Sequence, residues 1–173
     1  ETLEIYCPLA GRIGISALKI ELEDLCFRYS RPDKYFELTQ LIKKTEAETD
    51  RYILEVKRNI AEVLSKSTVK NYKVFGRSKH LWSIYRKMTS RNLDYDQIFD
   101  VLAFRLIVGS VVECYEVLGY IHSIWKPIPG RFKDFIAMPK SNNYQSLHTT
   151  VLGPGGDRIE IQIRTQERSE ERR

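Results

Sequence analysis

Residues 159–165 read IEIQIRT, and the strict alternation of isoleucine with polar residues decides the fold. Period-two spacing belongs to a β-strand with one buried face, so Ile159, Ile161 and Ile163 turn toward a core while Glu160, Gln162 and Arg164 turn away from it. Just upstream, residues 153–156 (GPGG) read as a hairpin turn whose first arm is a strand near residues 146–152. A further strand is expected near residues 134–137. Asp100 opens the run VLAFRLIV at residues 101–108, which reads as a buried strand.

Such a sheet needs cover, and the rest of the chain supplies helices. Residues 47–65 place Ile53, Val56, Ile60 and Val63 on one helical face, and residues 112–125 do the same with Cys114, Val117, Leu118 and Ile121 before Pro127. Upstream, residues 13–29 carry a stripe of Ile15, Leu18, Leu22, Leu25 and Cys26 that is expected to be buried. Arg31-Pro32-Asp33 opens a short helix, because proline suits the first helical turn. Residues 69–75 read as a strand, Gly76-Arg77-Ser78 as a turn with Ser78 as N-cap, and residues 79–90 as a helix burying Leu81, Ile84, Tyr85 and Met88. The expectation is an α+β fold: a small helical segment, then a mixed β-sheet flanked by helices.

The 173 residues are 42% hydrophobic, enough to bury a core, and carry a net charge of +5, which favours anionic partners. Between Lys70 and Arg91 there are seven cations and no acid. Cys7, Cys26 and Cys114 are too few and too scattered for a disulfide framework or a zinc pattern, so a reducing compartment fits. No apolar run approaches a membrane span and residues 1–14 lack a signal-peptide pattern, so the expectation is a cytoplasmic protein with no membrane partner. A start at Glu1 within an already apolar segment suggests a piece of something longer.

Residues 130–150 (GRFKDFIAMPKSNNYQSLHTT) gather Arg131, Lys133, Lys140, Asn142, Tyr144, Gln145 and His148 in one short segment. Cationic donors, amides and an aromatic face suit a ligand with phosphates at one end and a purine at the other. Taken singly, Tyr144 also fits an ordinary half-buried tyrosine and His148 a histidine satisfying a backbone carbonyl. Asp100 and Glu160 could converge on one magnesium ion, which takes a couple of carboxylates plus phosphate oxygens; the alternative is a turn cap and a surface ion pair. Lys79, Ser83 and Lys87 follow i, i+4, i+8 spacing and could hold a polyphosphate, or form a solvated basic face.

GRSKHLWSIYRKM (76–88), FDVLAFRLIV (99–108), HSIWKPIPGRFKDFIAMPKSNNYQSLHTTVLGPGG (122–156) and IEIQIRT together resemble, in order, the motifs of the synthetase domain of RelA/SpoT homologue alarmone enzymes. Residues 7–29 resemble the helical segment joining hydrolase to synthetase in long members. The resemblance implies helical linker over 1–45, synthetase domain over 46–165 and a charged tail over 166–173. It implies a nucleotidyltransferase-like fold and transfer of pyrophosphate from ATP to the 3′-hydroxyl of GDP or GTP, giving (p)ppGpp and AMP. Arg77 would then pack on adenine, with Lys79, Ser83 and Lys87 near the ATP phosphates. Asp100 would hold Mg2+, with Mn2+ as a substitute. Glu160 would assist the metal or act as base, with Gln162 close by. Arg131, Lys133, Lys140, Asn142, Tyr144, Gln145 and His148 would bind the guanine nucleotide, Tyr144 by stacking.

Arg131-Phe132-Lys133-Asp134 looks like the RxKD form associated with bifunctional members. Two departures stand out: Asn143 replaces the usual glycine, and QERSEERR (166–173) replaces the usual Met-His pair and helix. The hydrolase His-Asp motif is missing, so no alarmone hydrolysis is expected, and any ribosome contact would lie in other regions. A silent nucleotide-sensing or RNA-binding module of the same fold is the rival expectation; retention of both Asp100 and Glu160 speaks against it.

Overall fold

The computed structural model describes residues 1–42, 45–98 and 101–170. They fall into two compact units, Glu1–Thr45 with Lys79–Ile98, and Glu46–Ser78 with Phe99–Arg173. In chain order the elements begin with α1 (Cys7–Arg12), α2 (Ser16–Ser30), α3 (Pro32–Leu41) and α4 (Glu46–Ser65). Then come β1 (Lys73–Ser78), α5 (Leu81–Arg91), β2 (Leu102–Val108) and α6 (Val111–Ile124). Short β3 (Lys133–Asp134), β4 (Leu147–Leu152), β5 (Arg158–Thr165) and α7 (Gln166–Glu170) complete the chain.

The second unit is built on one mixed five-stranded sheet in the order β1-β2-β5-β4-β3. β2 and β5 run parallel and every other pair is antiparallel. Residues 153–156 close the β4–β5 hairpin, with Gly155 and Gly156 at positive φ. One sheet face is apolar throughout: Phe104, Leu106, Ile161, Ile163 and Leu147 meet Val56, Ile60 and Leu64 of α4 and Val117 and Ile121 of α6. Each such side chain stabilises the fold by about 1.5–3 kcal/mol when fully buried. α6 starts from a capping box in which Ser110 accepts from Glu113 N and the Glu113 carboxylate accepts from Ser110 N, satisfying donors the helix cannot pair itself.

Gly76-Arg77-Ser78 is strand, not turn. A Cβ on Gly76 would stand 2.7 Å from both Ile53 Cγ2 and Phe104 Cε1, so the glycine is there for close approach of α4 to the sheet rather than for chain reversal. The following helix accordingly starts later, with His80 as N-cap and no side-chain bond from Ser78.

In the first unit, α2, α3 and α5 meet around Phe27, which is fully buried. Its ring stacks on Tyr85 at 4.6 Å and meets Tyr35 and Trp82 at 5.6 Å. The expected buried stripe of α2 is not the buried one: Ile15, Leu18 and Leu25 are exposed, whereas Glu23 and Phe27 are buried. Aromatic packing and an acid with partners, not aliphatic periodicity, chose the inner face. Glu23 is bonded to His80 Nε2 at 2.7 Å and lies 3.9 Å from Lys19. Beside it, Asp24 accepts from Trp82 N at 2.8 Å and so caps α5 from another helix.

Candidate active site

The second sheet face carries the chemistry. Strand register sets Phe75, Arg105, Gln162, His148 and Lys133 in one row across all five strands. Arg77, Ala103, Glu160 and Thr150 form the next row, and Ile107 and Arg164 belong to the row on the other side. Arg77 and Glu160 are thus two strands apart, on the order of 10 Å between their backbones.

Above this face lies a cleft of about 590 Å3 lined by Phe75, Arg105, Ile107, Lys140, Tyr144, His148, Gln162, Arg164 and Ser169. Four of the residues singled out from sequence therefore share one cavity: Lys140, Tyr144, His148 and Gln162. Glu160 joins them through hydrogen bonds. Its Oε1 lies 3.2 Å from His148 Nδ1 and accepts from Gln162 Nε2 at 3.2 Å, while Tyr144 Oη lies 2.7 Å from His148 Nε2. His148 therefore bonds two side chains rather than a backbone carbonyl.

The loop between β3 and β4 is shaped to present these groups. Asn143 takes φ +55°, a left-handed backbone that asparagine tolerates, and its N–H donates to Lys140 O at 2.8 Å. The Asn142 carboxamide accepts from Tyr144 N at 3.3 Å, so this residue shapes the loop that carries the ring. Lys140 Nζ stands 4.5 Å from the Phe135 ring centroid and 5.3 Å from that of Tyr144, within cation–π range. At the other end of the loop Asp134 accepts from Ile136 N and Ala137 N, and Tyr115 of α6 donates to it at 2.9 Å. Burial opposes ionisation of Asp134, but the Ala137, Tyr115 and Ile136 donors together hold its carboxyl below the usual range.

Arg131 and Lys133 are exposed, Lys133 opposite His148 in the β3–β4 pair, and Gln145 is half-buried at the entry to β4. Arg77 is exposed on β1. Ser83 and Lys87 lie on α5 in the first unit, with Ser83 Oγ 3.1 Å from His80 Nε2; Lys79 precedes the helix, so the expected three-residue helical face is reduced to two. Asp100 lies outside the described residues. Among the described residues no cluster of three or more His, Cys, Asp or Glu side chains forms a metal cage. Oxygen donors here come from Glu160, a hard ligand of the kind magnesium takes in ones and twos beside phosphate.

Arg105 and Arg164 were not singled out as site residues. Both sit in runs dominated by β-branched and apolar neighbours, but the same alternation that buries Phe104 and Ile163 turns them to the cleft. Arg105 Nε is buried without a hydrogen-bond partner among the described residues, an arrangement that costs on the order of 1–3 kcal/mol unless a ligand supplies an acceptor.

Known proteins share this architecture. Residues 76–172 match the family described as "Region found in RelA / SpoT proteins". The GTP pyrophosphokinase of Myxococcus xanthus is 52% identical over 167 residues, covering 96% of this chain and 22% of that protein. The bifunctional (p)ppGpp synthase/hydrolase RelA of Mycobacterium tuberculosis is 45% identical over 167 residues, again 96% of this chain and 22% of the relative. The chain thus spans about a fifth of the length of the curated relatives it matches. Among solved structures, a GTP pyrophosphokinase family protein from Streptococcus pneumoniae superposes with a TM-score of 0.60 at 25% identity, over 70% of this chain and 68% of that one. The match covers more than half of the chain and takes in β2 to β5 with the loop between β3 and β4, so the chain belongs to the RelA/SpoT family.

Proposed function

We propose that this chain synthesises (p)ppGpp by transferring the pyrophosphate group of ATP to the 3′-hydroxyl of GDP or GTP, releasing AMP. The observation that carries the reading is the joint placement of Lys140, Tyr144, His148 and Gln162 in one cleft, with Glu160 bonded to two of them. Relatives named GTP pyrophosphokinase support it.

In this reading the Tyr144 ring is the platform for guanine, a contact worth about 1–3 kcal/mol in nucleic-acid systems. Lys140, with Asn142 and Gln145 on the same loop and Arg131 and Lys133 just before it, forms the acceptor side. Arg77, Lys79, Ser83 and Lys87 serve ATP. Glu160 orients or deprotonates the acceptor hydroxyl, and Gln162 holds the carboxylate. Asp100 and Glu160 would hold Mg2+, or Mn2+ in its place, which supplies charge neutralisation for the polyphosphate. Attack at a phosphorus surrounded by negative oxygens needs in-line positioning and fixed positive charge more than a covalent intermediate, and the cations of the cleft suit that demand. Nucleotide substrates imply a cytoplasmic setting.

The test is direct. The chain incubated with ATP, GDP and Mg2+ is expected to yield AMP and ppGpp. Glu160→Gln should abolish product while GDP binding, followed by calorimetry, stays close to native. Unchanged turnover in that variant would sink the assignment. Product-free native protein that still binds GDP would favour the silent nucleotide-sensing module.

A further inference from the structure

We infer that the hydroxyl of Tyr144, acting through His148, sets the orientation of the Glu160 carboxylate, so that the residue offered to the acceptor base is also a positioning residue for the reacting hydroxyl. The inference rests on the synthetase reading of the cleft and adds a second task to Tyr144, carried by its oxygen rather than its ring.

The geometry is a chain of three side chains. Tyr144 Oη lies 2.7 Å from His148 Nε2, and His148 Nδ1 lies 3.2 Å from Glu160 Oε1. An ionised carboxylate can only accept, so the ring nitrogen facing it carries the hydrogen. In the neutral imidazole the other nitrogen is then an acceptor and needs a donor, and the phenol hydroxyl at Nε2 is one. The carboxylate therefore calls for the Nδ1–H tautomer, and the Tyr144 hydroxyl stabilises it by donating to the bare Nε2, so the two contacts together hold the imidazole against Glu160. Gln162 Nε2 donates to the same oxygen at 3.2 Å, so Oε1 receives two donors and the carboxylate plane is fixed from one side. A carboxylate positioned by an imidazole whose far nitrogen is itself bonded follows the general logic of orienting partners.

Packing keeps the chain in place. His148 and Glu160 side chains are 18% and 19% exposed, so water competes little for these bonds. Phe135 meets the imidazole edge-on at 5.3 Å and the Tyr144 ring at 5.9 Å. The charged and titratable groups around the imidazole are Tyr144 from the loop, Glu160 from β5 and Lys133 opposite it on β3; Lys140, Arg105 and Arg164 line the same cleft. The Asn142 and Asn143 turn fixes the Tyr144 backbone. Order in the acceptor loop is thereby transmitted to the carboxylate.

Tyr144→Phe isolates the oxygen, because the ring remains. Measured on the whole chain, GDP affinity should be retained while kcat falls by about 10–100-fold, the usual cost of losing an outer hydrogen-bond partner. Nitrogen-15 NMR of the histidine side chains, with His148→Asn to assign the signal, should show one Nδ1–H tautomer in the native protein and a mixture in Tyr144→Phe. Native-like turnover in Tyr144→Phe overturns the inference whatever the tautomer, and an unchanged tautomer overturns it equally. If the native chain makes no product, the synthetase reading falls, and the NMR comparison alone decides whether the hydroxyl sets the imidazole.

Discussion

His122 shows how a side chain away from the cleft can still set the conditions under which the sheet survives. It projects from α6 toward β4, where its Nε2 lies 2.8 Å from Thr149 Oγ1, and burial holds its pKa below the ordinary 6.5. The folded state therefore binds fewer protons than the unfolded chain in the acid range. Stability that is complete above the ordinary value is lost as pH falls through the lowered one. Urea midpoints are expected to drop between about pH 7 and pH 5, and His122→Asn should flatten that slope. An equal slope in the variant would assign the acid sensitivity elsewhere. At this scale the sequence is informative where polar residues cluster: Lys140 and Tyr144 in the loop and His148 at the start of β4 are legible because nothing in a core needs them together. Arg105 is hidden because it sits inside an apolar run, and Arg164 because a charged residue turned away from a core has the spacing of an ordinary solvated one.

Helix α5 illustrates what periodicity can and cannot tell at the scale of an element. Its apolar positions predict a helix, and one forms. Its start could not be read from neighbouring residues, because the cap comes from Asp24, 58 positions earlier. Capping from a distant helix leaves no local trace of the kind Ser110 and Glu113 leave at α6. Asp24→Ala is expected to cost about 0.5–2 kcal/mol, and Asp24→Asn much less since the amide oxygen still accepts. Faster amide exchange at Trp82 in the alanine variant, with β-sheet amides unaffected, would be the confirming pattern; uniform exchange changes would refute a local cap. The misreading of Gly76 has the same origin. A glycine before Arg77-Ser78 looks like chain reversal until the helix lying across it is known.

Across the whole molecule the net charge of +5 and the cations of the cleft belong to one electrostatic argument. Screening shortens from about 10 Å at 0.1 M salt to about 3 Å at 1 M, so nucleotide affinity should weaken progressively over that range. A dissociation constant for GDP that stays flat with added KCl would mean the cleft cations do not meet phosphate. Fold class was legible at this scale because the strands carry their own alternation and the hairpin its own glycines. The membership of the units was not, since Phe27 and Tyr85 attract each other through packing that no spacing rule encodes.

The first unit is made from two stretches, Glu1–Thr45 and Lys79–Ile98, with α4 and β1 between them in the chain. A ribosome delivers these pieces in order. When α2 and α3 have emerged, Phe27 has neither Trp82 nor Tyr85 to meet, Glu23 lacks the His80 imidazole and Asp24 has no helix to cap. Nascent chains lengthen at about 5–20 residues per second, so these helices wait several seconds with their inner face uncovered. Their completion depends on α5, which arrives only after α4 and β1 have been made. The aromatic cluster around Phe27 is thus a late event in the life of residues that are made early, and that interval is where a slowed or truncated translation would do the most harm.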